Sequence, residues 1–156
     1  MKPDELLKLL EVKTSISPLN FSSEGVVSFI FNDEFTTHLE KSKDDHSITI
    51  YGIVGMVPIE QSELCLHALL DANLFGRDTA GSSFGIEREK GEIILFRTLE
   101  LQNLQSDYFF DTLKQFSLTQ EHWTRYIEHK SYNLLPHPSK ESGKNISQFG
   151  NNFLKL

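Results

Sequence analysis

The sequence predicts an α+β domain in the order helix, three strands, helix, two strands, helix, with a largely antiparallel, twisted sheet packed by helices. Three observations carry this. Runs rich in β-branched and aromatic residues fall in two groups, one between positions 26 and 57 and one between 84 and 101. Helix-forming segments flank and separate these groups without the regular alternation that parallel β-α-β units require. The chain has 156 residues, 38% hydrophobic and 11% aromatic with 12 Phe, which is about one domain's length and enough apolar material for one core.

Pro3 suits a first helical position, and Asp4 and Glu5 occupy the first turn, where the helix dipole favours acids. Leu6, Leu7, Leu9 and Leu10 then form an apolar stripe that ends near Lys13. Pro, Asn and Ser punctuate residues 15–25 before the strand Val26–Phe31, which Asn32, Asp33 and Glu34 close. A weaker strand is expected over 35–40 and a charged turn over 41–46. Residues 48–57 form a longer strand in which Gly52 and Gly55 mark a bend, a bulge or a close backbone approach. Beyond Pro58, residues 60–75 read as a helix whose second half leaves little room for a wet face. Such a helix is buried on more than one side, and both a subunit interface and a central core position satisfy that.

The polar loop 76–83 leads to a hairpin of 84–88 and 92–101, turned at Glu89, Lys90 and Gly91. From Asn103 or Ser106, either of which suits an N-cap, a long helix follows with Phe109, Leu113, Phe116, Trp123 and Ile127 near helical spacing. After Lys130 the composition turns polar, with Pro136, Pro138 and many Ser, Asn and Gly residues. The expected organisation is therefore a domain over 1–130 and an extended or disordered, flexible tail over 131–156, where Phe149, Phe153, Leu154 and Leu156 offer small docking points.

Fifteen Lys and Arg against 22 Asp and Glu give a net charge of −7. That argues against nucleic acid, whose binding needs a dense cationic surface, and equally against anionic membrane surfaces. The charge is uneven: residues 1–130 carry 12 basic and 21 acidic side chains, a net of −9, whereas 131–156 carry three Lys and one Glu, a net of +2. No secretory signal opens the sequence and no apolar run is long enough to span a bilayer. One cysteine, Cys65, rules out an internal disulfide framework and fits a reducing compartment. The chain reads as soluble and intracellular.

No catalytic, cofactor-binding or metal-binding set emerges. Cys65 and His67 are two apart on a helix and point to different faces, so an inert buried thiol is expected. His38, His46, His122, His129 and His137 lack metal-ligand spacing. The loop 76–83 has glycines and hydroxyls but no Lys-Ser/Thr pair, and it leaves a helix where a phosphate loop enters one, so it reads as a helix-to-strand connection. What stands out is apolar surface: Val27, Phe29 and Phe31 oppose Val26 and Ile30, and Ile48, Ile50 and Val54 oppose Tyr51 and Ile53. On one account all of this is core, with the last helix covering the second face. On the other, the second face receives another chain, either a twin subunit or an extended peptide adding to a strand edge.

The run Leu69-Leu70-Asp71-Ala72-Asn73-Leu74-Phe75, then Gly81, Phe84-Gly85-Ile86, Gly91-Glu92-Ile93-Ile94-Leu95, and Leu104, Phe109, Leu113, Phe116 and Trp123, resembles the class I chaperones of type III secretion, the group that includes the Tir chaperone. The resemblance implies a bacterial cytoplasmic homodimer with no enzymatic activity and no cofactor. It would bind the N-terminal segment of one or a few secreted effectors in extended form, keep it unfolded, and present the complex to the secretion ATPase. On that basis the dimer interface falls on Leu66, Leu70, Leu74 and Phe75. The client patch falls on Leu6 and Leu10 of the first helix and on Ile30, Tyr51, Ile53 and Phe96 of the sheet. An adaptor of similar fold that binds a folded partner is the alternative. The tail after Lys130 is longer than the family pattern leads one to expect.

Overall fold

The structure, a computed structural model, describes residues 1–129 and 153–155. Its elements are α1 (Pro3–Thr14), β1 (Val26–Phe31), β2 (Phe35–Lys41), β3 (Ser47–Met56), α2 (Ser62–Asn73), a 3-10 turn (Leu74–Gly76), β4 (Ser83–Glu87), β5 (Glu92–Glu100), α3 (Ser106–Glu128) and β6 (Phe153–Lys155). The six strands form one antiparallel sheet in the order β4-β5-β3-β2-β1-β6. The expected α+β architecture and the order of the first eight regular elements are as the sequence predicts.

Period-two alternation gives the sheet an inner and an outer face. Val27, Phe29 and Phe31 of β1, Phe35 and Leu39 of β2, Ile48, Ile50 and Val54 of β3, and Ile93, Leu95 and Leu99 of β5 are all buried in one cluster. That cluster also takes Leu6, Leu7 and Leu10 of α1, Cys65, Ala68, Leu69 and Ala72 of α2, and Phe109, Leu113, Phe116 and Trp123 of α3. All three helices therefore bury their apolar stripes against the same side of the sheet.

The two glycines of β3 set how closely α3 approaches. A Cβ on Gly52 would overlap the carboxamide of Gln120, and one on Gly55 would stand 2.7 Å from Cγ2 of Ile127. Beside them the register with β5 shifts between Ile53 and Gly55, so Val54 and Gly55 together face Ile93 in a β-bulge. The sequence offered bend, bulge or close approach at these positions, and the structure uses both of the last two.

One local feature differs from expectation. The helix expected over 60–75 ends at Asn73, because Phe75 takes a left-handed φ of 56° that breaks the helical ladder. The segment Phe153–Lys155, within the polar tail, forms β6 on the far edge of β1. Phe149 and Leu156 lie outside the described residues.

Candidate functional site

The outer sheet face carries no helix among the described residues. Cross-strand partners share a face, and the register aligns Ser28 with His38, His38 with Tyr51, Tyr51 with Phe96, and Ile53 with Ile94. Ile30 lies on the same face, and none of these side chains is fully buried. Ile53 and Phe96 remain 45% and 37% exposed, and the Phe96 ring lies over Gly85 of β4, where a Cβ would meet it at 3.4 Å. A polar seam crosses the apolar strip: Ser28 Oγ lies 2.7 Å from His38 Nδ1, and the His38 and Tyr51 rings stack at 4.8 Å. Partial burial lowers the His38 pKa, so its ring favours the neutral form. Partial burial, and secondarily the charge of Glu40, raises that of Tyr51. Around His38, Tyr51, Ile53 and Phe96 this face is thus an apolar platform, with Glu40 at its margin.

Four of the six expected client residues, Ile30, Tyr51, Ile53 and Phe96, lie on this face. The other two are corrected by the structure. Leu6 and Leu10 are each 1% exposed, held in the core beneath α1. The stripe read from the sequence is the packing face of the helix, and the apolar side chains α1 leaves in solvent are Leu9 and Val12, at 40% and 83%.

The second apolar surface lies on α2. Cys65, Ala68, Leu69 and Ala72 point inward, which leaves Leu66 and Leu70, one turn apart, on the outside with Leu74 and Phe75 beyond them. Leu70 is 69% exposed and Phe75 96%. The helix end is pinned by Asn73, which accepts from the Phe84 amide at 2.7 Å and so ties α2 to β4. All four expected interface residues lie outside the core.

A cleft of about 290 Å³ opens where β2 and β3 part. These strands pair from His38 to Lys41, and before that point Gln120 of α3 fills the gap. Its Oε1 accepts from Thr37 Oγ1 at 2.7 Å, while its Nε2 donates to the Thr36 carbonyl at 2.8 Å. Sequence reasoning passed over Gln120, because a lone Gln on a long helix normally marks a wet face. The only hint was Gly52, which makes room for it. Gln120→Leu leaves the buried Thr37 hydroxyl without its acceptor and is expected to cost about 1–3 kcal/mol of stability by urea unfolding. A loss below about 0.5 kcal/mol would show that the amide contributes no net hydrogen bonding.

The chemistry-bearing candidates resolve into structure. Cys65 is buried, and His67 stands in solvent 3.9 Å from Glu63. The loop before β4 is held from within: Thr79 Oγ1 donates to the Ser82 carbonyl, Arg97 Nη1 to that of Ala80 at 2.7 Å, and Trp123 Nε1 to that of Asp78 at 2.9 Å. It is a connection, as its sequence indicates. Among the described residues no three His, Cys, Asp or Glu side chains converge on a metal position, and no helix is long and apolar enough to cross a membrane.

Residues 5–124, most of the chain and all of the core described above, match the Tir chaperone protein (CesT) family. The chain belongs to that family. Curated proteins give no match to the sequence. Solved structures agree on the fold. A chain in the ExsC–ExsE complex superposes with a TM-score of 0.66 at 21% identity, covering 87% of this chain and 95% of that one. The Yersinia pestis type III secretion chaperone SycH in complex with a fragment of YscM2 gives a TM-score of 0.61 at 13% identity, covering 77% and 98%. The ExoT–SpcS complex from Pseudomonas aeruginosa gives 0.56 at 21%, covering 78% and 98%.

Proposed function

We propose that this protein is a non-enzymatic chaperone of the bacterial cytoplasm that works as a homodimer and binds the extended N-terminal segment of a type III secreted effector, keeping it soluble and competent for export. The observation that carries the reading is the outer sheet face, where Tyr51, Ile53 and Phe96 form an apolar strip that no helix among the described residues covers. Membership of a chaperone family supports it, and the neighbouring ExsC–ExsE and ExoT–SpcS structures are described as complexes.

The physics fits an extended client better than a folded one. Fully burying a large apolar side chain contributes about 1.5–3 kcal/mol. Ordering each client residue costs about 1–2 kcal/mol of backbone entropy. A long wrapping segment with many small contacts therefore gives adequate but reversible affinity, which export requires. The α2 row meets a second need. In a twofold dimer the patch of Leu66, Leu70, Leu74 and Phe75 packs against the same patch of the partner, so one interface covers both copies. The assembled complex, with its client still unfolded, is what would be handed to the secretion ATPase.

The test is co-expression with N-terminal fragments of candidate effectors followed by limited proteolysis. A bound fragment should stay soluble and resist cleavage, and the variant I53D/F96D, altered at two partly exposed positions, should lose that protection while keeping its own fold. A fragment cleaved equally fast with and without the chaperone would reject the reading. Capture of only the folded effector domain would favour the adaptor instead.

A further inference from the structure

We propose that the outer edge of β1 is a strand-acceptor site which the chain's own C-terminal strand occupies in the free protein, so that an incoming extended polypeptide must displace it. An edge strand presents unpaired amides and carbonyls that any extended chain of suitable pattern can take up. Here that edge is filled: β6 pairs antiparallel with β1, with Phe153 opposite Phe31, Leu154 opposite Ile30 and Lys155 opposite Phe29. The occupied stretch is the apolar end of β1, where Phe29 and Phe31 enter the core and Ile30 lies on the outer face with Tyr51 and Ile53. A strand at this edge is thus continuous with the client platform.

The occupant is short and tethered. Three pairs hold it, and residues 130–152, which can span at most roughly 80 Å, connect it to the end of α3. A connection of that length keeps the strand at an effective concentration of about millimolar. The segment 131–156 also carries a net +2 beside a body of net −9, a complementarity that favours its return. Three pairs and a millimolar tether give an occupant firm enough to cover the edge in the free protein and weak enough to yield to a longer strand. Among the described residues the opposite edge strand, β4, pairs only with β5, and its outer side has no partner strand. The proposal relies on the chaperone reading only for the identity of the displacing chain.

The test uses the full chain and the variant F153P/L154P. Consecutive strand residues direct their N–H groups to opposite sides, so one of the two prolines removes a ladder bond whichever phase the pairing takes. Hydrogen exchange in the variant should speed up about three- to tenfold at the β1 amides that face β6, with β4 amides unchanged. A labelled peptide of the chain's own residues 145–156 should bind the variant about three- to tenfold more tightly than the wild type, and the same peptide carrying both prolines should not bind. Unchanged β1 exchange, equal binding to both proteins, or binding to neither would overturn the proposal. Because the probe is the chain's own sequence, these outcomes are readable even if no effector fragment is protected.

Discussion

Replacing Trp123 with alanine is expected to remove about 3–5 kcal/mol of stability, a large share of what holds a domain of this size together. The indole is fully buried between Phe84 of β4, 4.8 Å away edge to face, and Tyr126 at 5.0 Å, and its Nε1 donates to the Asp78 carbonyl. It joins α3, the sheet and the loop that follows α2 at one point. Truncation therefore opens a cavity and frees the loop together. Because Trp123 is the chain's one tryptophan, unfolding must be followed by far-UV circular dichroism. A second variant, Trp123→Phe, separates the contributions: it retains much of the packing but leaves the Asp78 carbonyl unpaired, and about 1–2 kcal/mol is expected. If alanine costs less than about 1 kcal/mol, Trp123 is not the anchor its contacts imply.

If the protein is the homodimer proposed above, Leu70→Glu is expected to convert it to a monomer. In the single chain Leu70 is 69% exposed, so the substitution should change monomer stability by no more than about 0.5 kcal/mol. In a twofold interface it places two unpaired carboxylates in an apolar contact, and a loss of dimer affinity of at least 100-fold follows from the cost of desolvating them. Light scattering at tens of micromolar should then give a mass falling from about twice 17.9 kDa to 17.9 kDa. A wild-type protein that is monomeric under these conditions, or a variant that stays dimeric, would remove α2 from the interface. Glu substitution at Val12 serves as the control, since that residue is 83% exposed on α1 and should leave the mass unchanged.

Much of the fold was legible locally. The alternation in Val26–Phe31, the bulge signal of Gly52 and Gly55, and the spacing of Phe109, Leu113, Phe116 and Trp123 are patterns within one element, and each element formed where its pattern lies. The apolar excess on α2 was equally visible, and Leu66, Leu70, Leu74 and Phe75 lie outside the core. Of the residues expected to form a client patch, only some are exposed. Ile53 and Phe96 stand open, but Leu6 and Leu10 went to the core because the most regular apolar stripe of a helix is the one its own fold consumes first.

By itself, then, the sequence determined the succession of helices and strands, the two-sided apolar strands, the acidic body and the weakly basic C-terminal segment. These depend on residue type and short spacing. Only the tertiary structure decided which side of the sheet the helices cover, that Gln120 closes the gap between β2 and β3, and that residues near the C-terminus return to pair with β1. Period-two alternation defines two faces without naming the covered one. A strand of three residues has too little pattern of its own to be seen until the edge it pairs with, more than a hundred positions earlier in the chain, is in place.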